Sequence, residues 1–235
     1  MSALEPIAYR DGDTALAGLL ARPAGSARAG IVLFPTIANA NPPIERRAWM
    51  LAEAGYLTLI ADFYGEPVRD FAHAGALASA LRSDVDRYRA RISAAVAALR
   101  AHAAAADLRL GAVGYCMGGQ AALEAARHGE DLAAVATFHG ILATDRPAEP
   151  GAIRPRLLIC HGDADPLVPR AQVLDFWEEM DAAGTDWHFH AYSGVKHGFT
   201  DPGSDARGLP AIGYDTSADC QSWAALMAFF DEVFR

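Results

Sequence analysis

Short apolar runs rich in β-branched residues alternate along the chain with stretches whose apolar positions recur every three or four residues. The first pattern marks strands buried on both faces, and the second marks amphipathic helices. Residues 7–9 and 14–21, flanking the turn Asp11-Gly12-Asp13, predict an amino-terminal β-hairpin. Buried strands are predicted at 30–34, 56–61, 108–114, 133–138, 156–161 and 187–192. Between them, helices are predicted at 44–54, closed by Gly55, and at 118–127, 170–183 and 216–234. Leu81, Val85, Tyr88, Ile92, Val96 and Leu99 define one apolar face of a further long helix. Residues 65–80, interrupted by Gly65, Pro67 and Gly75, read as a loop or short helix near a pocket mouth. The alternation predicts an α/β fold, with a mostly parallel central sheet and helices on both faces. No stretch reads as a linker, so residues 1–235 are expected to form a single domain.

With 235 residues, 52% of them hydrophobic and 21% charged, the chain can bury a sizeable core, which excludes disorder and fibrous repeats. The net charge is −9, and the basic residues, all arginine except Lys196, are scattered; nucleic acid is therefore excluded as a partner. The longest uncharged run, residues 29–44, is sixteen residues long and broken by Pro35, Pro42 and Pro43, too short for a membrane span. The amino terminus lacks the basic flank and apolar block of a secretory signal, and a cytoplasmic protein is expected. Cys116, Cys160 and Cys220 are odd in number and widely spaced, which fits free thiols in a reducing compartment.

One of these cysteines sits in a chemical context. Gly114-Tyr115-Cys116-Met117-Gly118-Gly119 follows an apolar strand and precedes a run of helix formers. This is the G-x-C-x-G form of a nucleophile elbow, with sulfur in place of the usual serine oxygen. A sharp strand-to-helix turn places Cys116 at a helix amino terminus, whose N–H groups favour the thiolate. There the Met117 N–H points at a developing oxyanion. Cys160 ends an apolar run and Cys220 lies on an apolar helix face, so both read as packing residues.

The partners of such a nucleophile follow it in the order acid, then histidine, each on a turn after a later strand. His73, His102, His128, His139 and His161 come too early in that order. His188 and His190 share one face of a strand without an evident third metal ligand. His197, in the loop after the 187–192 strand, is the candidate base. The turn 162–169 offers Asp163 and Asp165; Asp165 lies deeper in the loop, and Asp163 suits stabilisation of the turn itself. In this scheme Cys116 attacks an ester or lactone carbonyl, with Ile37 N–H, after the 30–34 strand, as second oxyanion donor. The scheme requires no metal and no organic cofactor, and its only expected partner is a small-molecule substrate of a monomer or homodimer. Tyr64, Phe199, Arg69 and Arg82 are the candidate substrate-binding residues.

These motifs, with Gly55-Tyr56 followed by Ala61-Asp-Phe-Tyr-Gly65, Gly162-Asp-Ala-Asp-Pro-Leu-Val-Pro169 and His197-Gly-Phe199, resemble the dienelactone hydrolase family of α/β-hydrolase-fold enzymes. The resemblance covers nearly the whole chain and implies a Cys-His-Asp triad of Cys116, His197 and Asp165 that hydrolyses small lactones or activated esters. Two positions depart from the family pattern. Thr36 stands where members often carry a thiol-activating glutamate, and Asp201 follows the histidine where an arginine suited to a substrate carboxylate is usual. The missing glutamate motivates an alternative, a catalytically inactive hydrolase-fold protein that binds a ligand or partner. A thiol redox sensor, with Cys160 brought close by folding, is a third reading.

Overall fold

A computed structural model describes residues 4–235 of the chain. Strands β1 (Glu5–Asp11) and β2 (Thr14–Ala21) form the amino-terminal hairpin, Asp11 facing Thr14 across a turn in which Gly12 takes φ +52°. Six more strands follow, β3 (Ala29–Phe34), β4 (Tyr56–Ile60), β5 (Leu110–Tyr115), β6 (Ala134–Phe138), β7 (Arg156–Gly162) and β8 (Trp187–Tyr192). They complete one eight-stranded sheet in the order β1-β2-β4-β3-β5-β6-β7-β8, antiparallel at β1–β2–β4 and parallel from β4 onward. The helices are α1 (Pro42–Glu53), α2 (Phe71–Arg82), α3 (Val85–Ala101), α4 (Met117–Arg127), α5 (Arg170–Ala183) and α6 (Thr216–Val233).

Alternate residues of each strand feed different cores, as a two-residue side-chain period requires. Val32, Phe34, Leu57 and Leu59 pack in one core with α2, α3, α4 and α5. Ile31, Leu33, Tyr56 and Ile60 pack in the other with α1 and α6. All eleven residues of α4 are buried, because its alanine and glycine surface lets β3, β5, β6 and α3 crowd around it. Its one acid, Glu124, is held between Arg89 at 2.9 Å and Arg127 at 3.0 Å, and Arg127 also reaches Glu179 at 2.7 Å.

One sequence expectation is made definite and one is corrected. Residues 71–82 are a regular three-turn helix, capped by Asp70, whose carboxylate accepts the His73 N–H at 2.8 Å. The long helix is two, because Asp84 leaves helical geometry and its carboxylate takes the Asp86 and Arg87 N–H groups, so that Leu81 belongs to α2. Among the described residues, no helix is long and apolar enough to cross a membrane.

The parallel strands all end on one edge of the sheet. Phe34, Tyr115, Phe138, Gly162 and Tyr192 therefore release the segments carrying Ile37, Cys116, His139, Asp165 and His197 toward a common region, where open α/β sheets place their sites.

Candidate active site

Cys116 occupies φ +57°, ψ −121°, between β5 and α4, and its N–H donates to Phe138 O at 3.1 Å. A non-glycine residue in this region is strained, and the neighbours show why the turn holds. A Cβ on Gly114 would collide with Gly118 O, and one on Gly118 would collide with the carbonyl oxygens of Phe34 and Pro35. Glycine at both positions lets the end of β5, the start of α4 and the loop after β3 meet without side chains between them. That loop carries Ile37, in a turn closed by the Asn39 N–H donating to Thr36 O at 3.0 Å.

His197 is buried, and its backbone is fixed by two bonds, its N–H to Ala211 O at 3.2 Å and Gly213 N–H to its carbonyl at 3.0 Å. Its Nδ1 lies 2.7 Å from Asp165 Oδ2, and Asp165 Oδ1 accepts the Leu167 N–H at 2.8 Å. Asp163, the other acid of that turn, forms an exposed pair with Arg170 at 2.6 Å. Among the described residues Nε2 of His197 has no hydrogen-bond partner, and His197 and Cys116 line the same cavity.

Burial works against charge on both groups, and their attraction for one another works in favour of it. For Cys116, burial pushes the thiol up, but the imidazolium of His197 and the Met117 N–H outweigh it, and the thiol lies below its ordinary value. For His197, burial pushes the ring down, but the adjacent sulfur and the Asp165 carboxylate raise it to about 10. Cys160 shows the contrast: burial pushes its thiol up to about 12, which disfavours the thiolate that a resolving cysteine would need.

The cavity measures about 200 Å³. Its wall is mostly apolar, with Ile37, Ile44, Leu167 and Ile212 prominent, and its polar groups include Thr36, Asn41, Arg47, His139, Thr200, Asp201 and Arg207. Of the predicted substrate-binding residues, none lines it. Phe199 is fully buried in the α6-side core, edge-on to His139 and tilted against Tyr192, because the turn at Gly198 directs it inward. Tyr64 lies behind the loop bearing Ile37, its hydroxyl donating to Ile37 O at 3.0 Å with Met117 Sδ 3.8 Å away. Arg69 hydrogen-bonds the half-buried His73, and Arg82 faces a separate hollow shared with Gly75, Ala78 and the other side of Ile37. His188 and His190 lie on the exposed face of β8.

Sequence reasoning missed two buried polar residues of the wall. His139, at φ +41° after β6, packs edge-on against His197 with ring centroids 5.0 Å apart, its Nε2 2.9 Å from Thr200 Oγ1. Burial, then the neighbouring His197 charge, holds its pKa well below the ordinary imidazole value, so it is neutral. Its position at the carboxyl end of a parallel strand was the available signal. Arg47 bonds Thr200 O at 2.9 Å and pairs with the buried Asp219, between the rings of Tyr115 and Trp223. In the sequence it is indistinguishable from the surface arginines.

Known proteins share this arrangement of elements. A structure of a dienelactone hydrolase-like promiscuous phosphotriesterase from metagenomic libraries superposes with a TM-score of 0.93 at 32% identity, covering 99% of both chains. A structure described as m3DLH does so at 0.93 and 36%, covering all of both. The chain is 30% identical over 208 residues, 83% of each protein, to a probable 2-oxo-3-(5-oxofuran-2-ylidene)propanoate lactonase of a Bradyrhizobium species. It is 38% identical over 151 residues to an uncharacterized protein of Caenorhabditis elegans, 61% of this chain and 92% of that one. The model of the dienelactone hydrolase family matches residues 16–234, which take in the elbow, the acid turn and the histidine loop. The same strands and turns that bring Cys116 and His197 to one cavity, with Asp165 bonded behind His197, are thus the matched ones, and the chain belongs to the dienelactone hydrolase family.

Proposed function

We propose that the protein hydrolyses small carboxylic esters or lactones through a thioester on Cys116, with His197 and Asp165 completing a triad. The thiolate adds to the carbonyl carbon, and the negative oxygen so formed is received by the N–H groups of Met117 and Ile37. As the tetrahedral intermediate collapses, the C–O bond to the alcohol breaks and the imidazolium delivers its Nε2 proton to the leaving oxygen. For a lactone, that oxygen stays attached to the acyl chain. Neutral His197 then takes a proton from water, whose oxygen attacks the thioester; the C–S bond breaks, the acid leaves and the thiolate–imidazolium pair is restored. Asp165 holds Nδ1 and stabilises the imidazolium throughout. Thr36, where relatives often carry a glutamate, supplies no base, and none is required if the thiol rests ionised beside His197.

The single observation carrying this reading is the shared cavity: a strained cysteine at the α4 amino terminus with an imidazole whose far nitrogen is tied to a buried aspartate at 2.7 Å. The lactonase and phosphotriesterase descriptions of the two relatives support hydrolytic chemistry at such a site. Mass spectrometry after brief mixing with p-nitrophenyl acetate should find an acyl adduct on the peptide containing Cys116, and Cys116→Ala should abolish both adduct and turnover without changing the circular dichroism spectrum. Turnover that survives in Cys116→Ala refutes the assignment.

A further inference from the structure

Besides Cys116 and His197, the cavity wall contains two guanidinium groups and one carboxylate, and both guanidinium groups are paired. Arg47 is 3% exposed and committed to Asp219 and Thr200 O. The Nη2 of Arg207 is bonded to Asp201 Oδ2. Asp201 is itself held in place, because its Oδ1 accepts the Gly203 N–H at 2.8 Å and its N–H donates to Gly198 O at 3.1 Å. A carboxylate entering with the substrate would therefore meet no unpaired guanidinium, and it would stand beside Asp201 and a thiolate–imidazolium pair of no net charge. Apolar groups, in contrast, are well received. Phe71, at the start of α2, is 61% exposed and Leu167 is 48% exposed, two of the few large apolar side chains left in solvent, and both border this cavity. Exposed apolar residues gathered at one opening mark a surface that an apolar partner covers.

We propose that the site selects uncharged, apolar esters or lactones, and that Asp201, by occupying Arg207, is the specificity-determining residue that turns carboxylate-bearing substrates away. The proposal rests on the ester and lactone hydrolase reading above and specifies its substrate class. It implies that the Asp201–Arg207 pair can be unbalanced in either direction. Asp201→Asn keeps the Oδ1 acceptor for Gly203 but releases Arg207 to bind an anion, whereas Arg207→Gln leaves Asp201 as an uncompensated negative charge.

The test compares p-nitrophenyl hexanoate with mono-p-nitrophenyl adipate, equal in chain length but differing by a terminal carboxylate, with rates corrected for spontaneous hydrolysis. The native protein should favour the hexanoate by roughly tenfold or more in kcat/KM, the effect of one partly screened charge at close range. Asp201→Asn should raise the adipate-to-hexanoate ratio by about tenfold and Arg207→Gln should lower it, and both changes should shrink at high salt. A purely structural role would move both ratios the same way or not at all, and that result overturns the proposal, as does equal turnover of both esters by the native protein. If the hexanoate is cleaved and the ratios stay still, the hydrolase reading stands and only the specificity assignment falls. If neither ester is cleaved by the native chain, both fall.

Discussion

Replacing Asp165 by asparagine tests the electrostatics of the site most directly, because it removes one charge and keeps the shape. Asp165 is 2% exposed, with Oδ2 at 2.7 Å from His197 Nδ1 and Oδ1 accepting the Leu167 N–H, a bond the amide can keep. The lowered thiol and the raised imidazole define a pH window in which the thiolate–imidazolium pair is the resting state. Its upper edge lies near 10, where the imidazolium loses its proton, and its lower edge lies below the ordinary thiol value, where the thiolate regains one. A hydrogen bond to a charged group contributes about 1.5–3 kcal/mol. At about 1.4 kcal/mol per unit, its loss should bring the upper edge down by roughly one to two units. Deacylation should suffer more, because an amide can turn its NH2 toward Nδ1, leaving the ring proton on Nε2 and no base for water; a loss of about 10²–10⁴ is expected. Iodoacetamide alkylation of Cys116 as a function of pH reads the window, and burst against steady-state release of p-nitrophenol separates acylation from deacylation. An unmoved alkaline limb, with steady-state turnover within about threefold of native, would refute the roles given to Asp165 and His197.

Three further substitutions separate scaffold from chemistry. Tyr64→Phe removes the hydroxyl bonded to Ile37 O, and kcat should fall by about three- to tenfold with KM nearly unchanged, measured on p-nitrophenyl butyrate. Gly118→Ala drives a methyl into the Phe34 and Pro35 carbonyls; a loss of about 1–3 kcal/mol in urea unfolding should accompany a fall in kcat, since the loop bearing Ile37 must retreat. Glu124→Gln leaves the Arg89 and Arg127 guanidinium groups short of a buried counter-charge and should cost about 2–4 kcal/mol in the same unfolding assay, while activity per folded molecule persists.

The sequence disclosed the parts of this molecule whose signal is local. Strand runs, the glycine-flanked Cys116 and the turn with two aspartates are each written within ten residues, and the strand-end positions of Asp165 and His197 follow from chain order. What it concealed depends on chain segments far apart. Leu81 and Val85 obey a helical period across a boundary that the Asp84 carboxylate imposes by taking two backbone N–H groups. Phe199 looks like a pocket aromatic until the φ of +70° at Gly198 directs the next residue into the α6 core. Tyr64 was assigned to substrate, but its hydroxyl finds Ile37 O, 27 residues away, so it acts on the wall from behind. Arg47 and Asp219 are 172 residues apart, and no periodicity announces a pair of that separation.

That last pair anchors the loop that carries both the proposed base and the proposed specificity residue. The segment after β8 carries His197, Thr200, Asp201 and Arg207, and it is anchored at both ends of its working stretch. His197 is stitched to residues 211–213 by two backbone bonds, and the Thr200 carbonyl is gripped by Arg46 and Arg47 from α1, which are paired with Asp219 of α6. The imidazole is thereby fixed by elements on the α1 and α6 side of the sheet, while the thiol is fixed by α4 on the other. Asp201 and Arg207 hang between the two anchors, on a stretch where they contact each other and nearby turns, and their side chains are 14% and 43% exposed. A change there alters the charge presented to substrate without loosening the backbone that holds His197. Substitution there should therefore change what the cavity admits while the proposed triad keeps its geometry, and in this chain the stretch presents a self-neutralised pair to an apolar cavity.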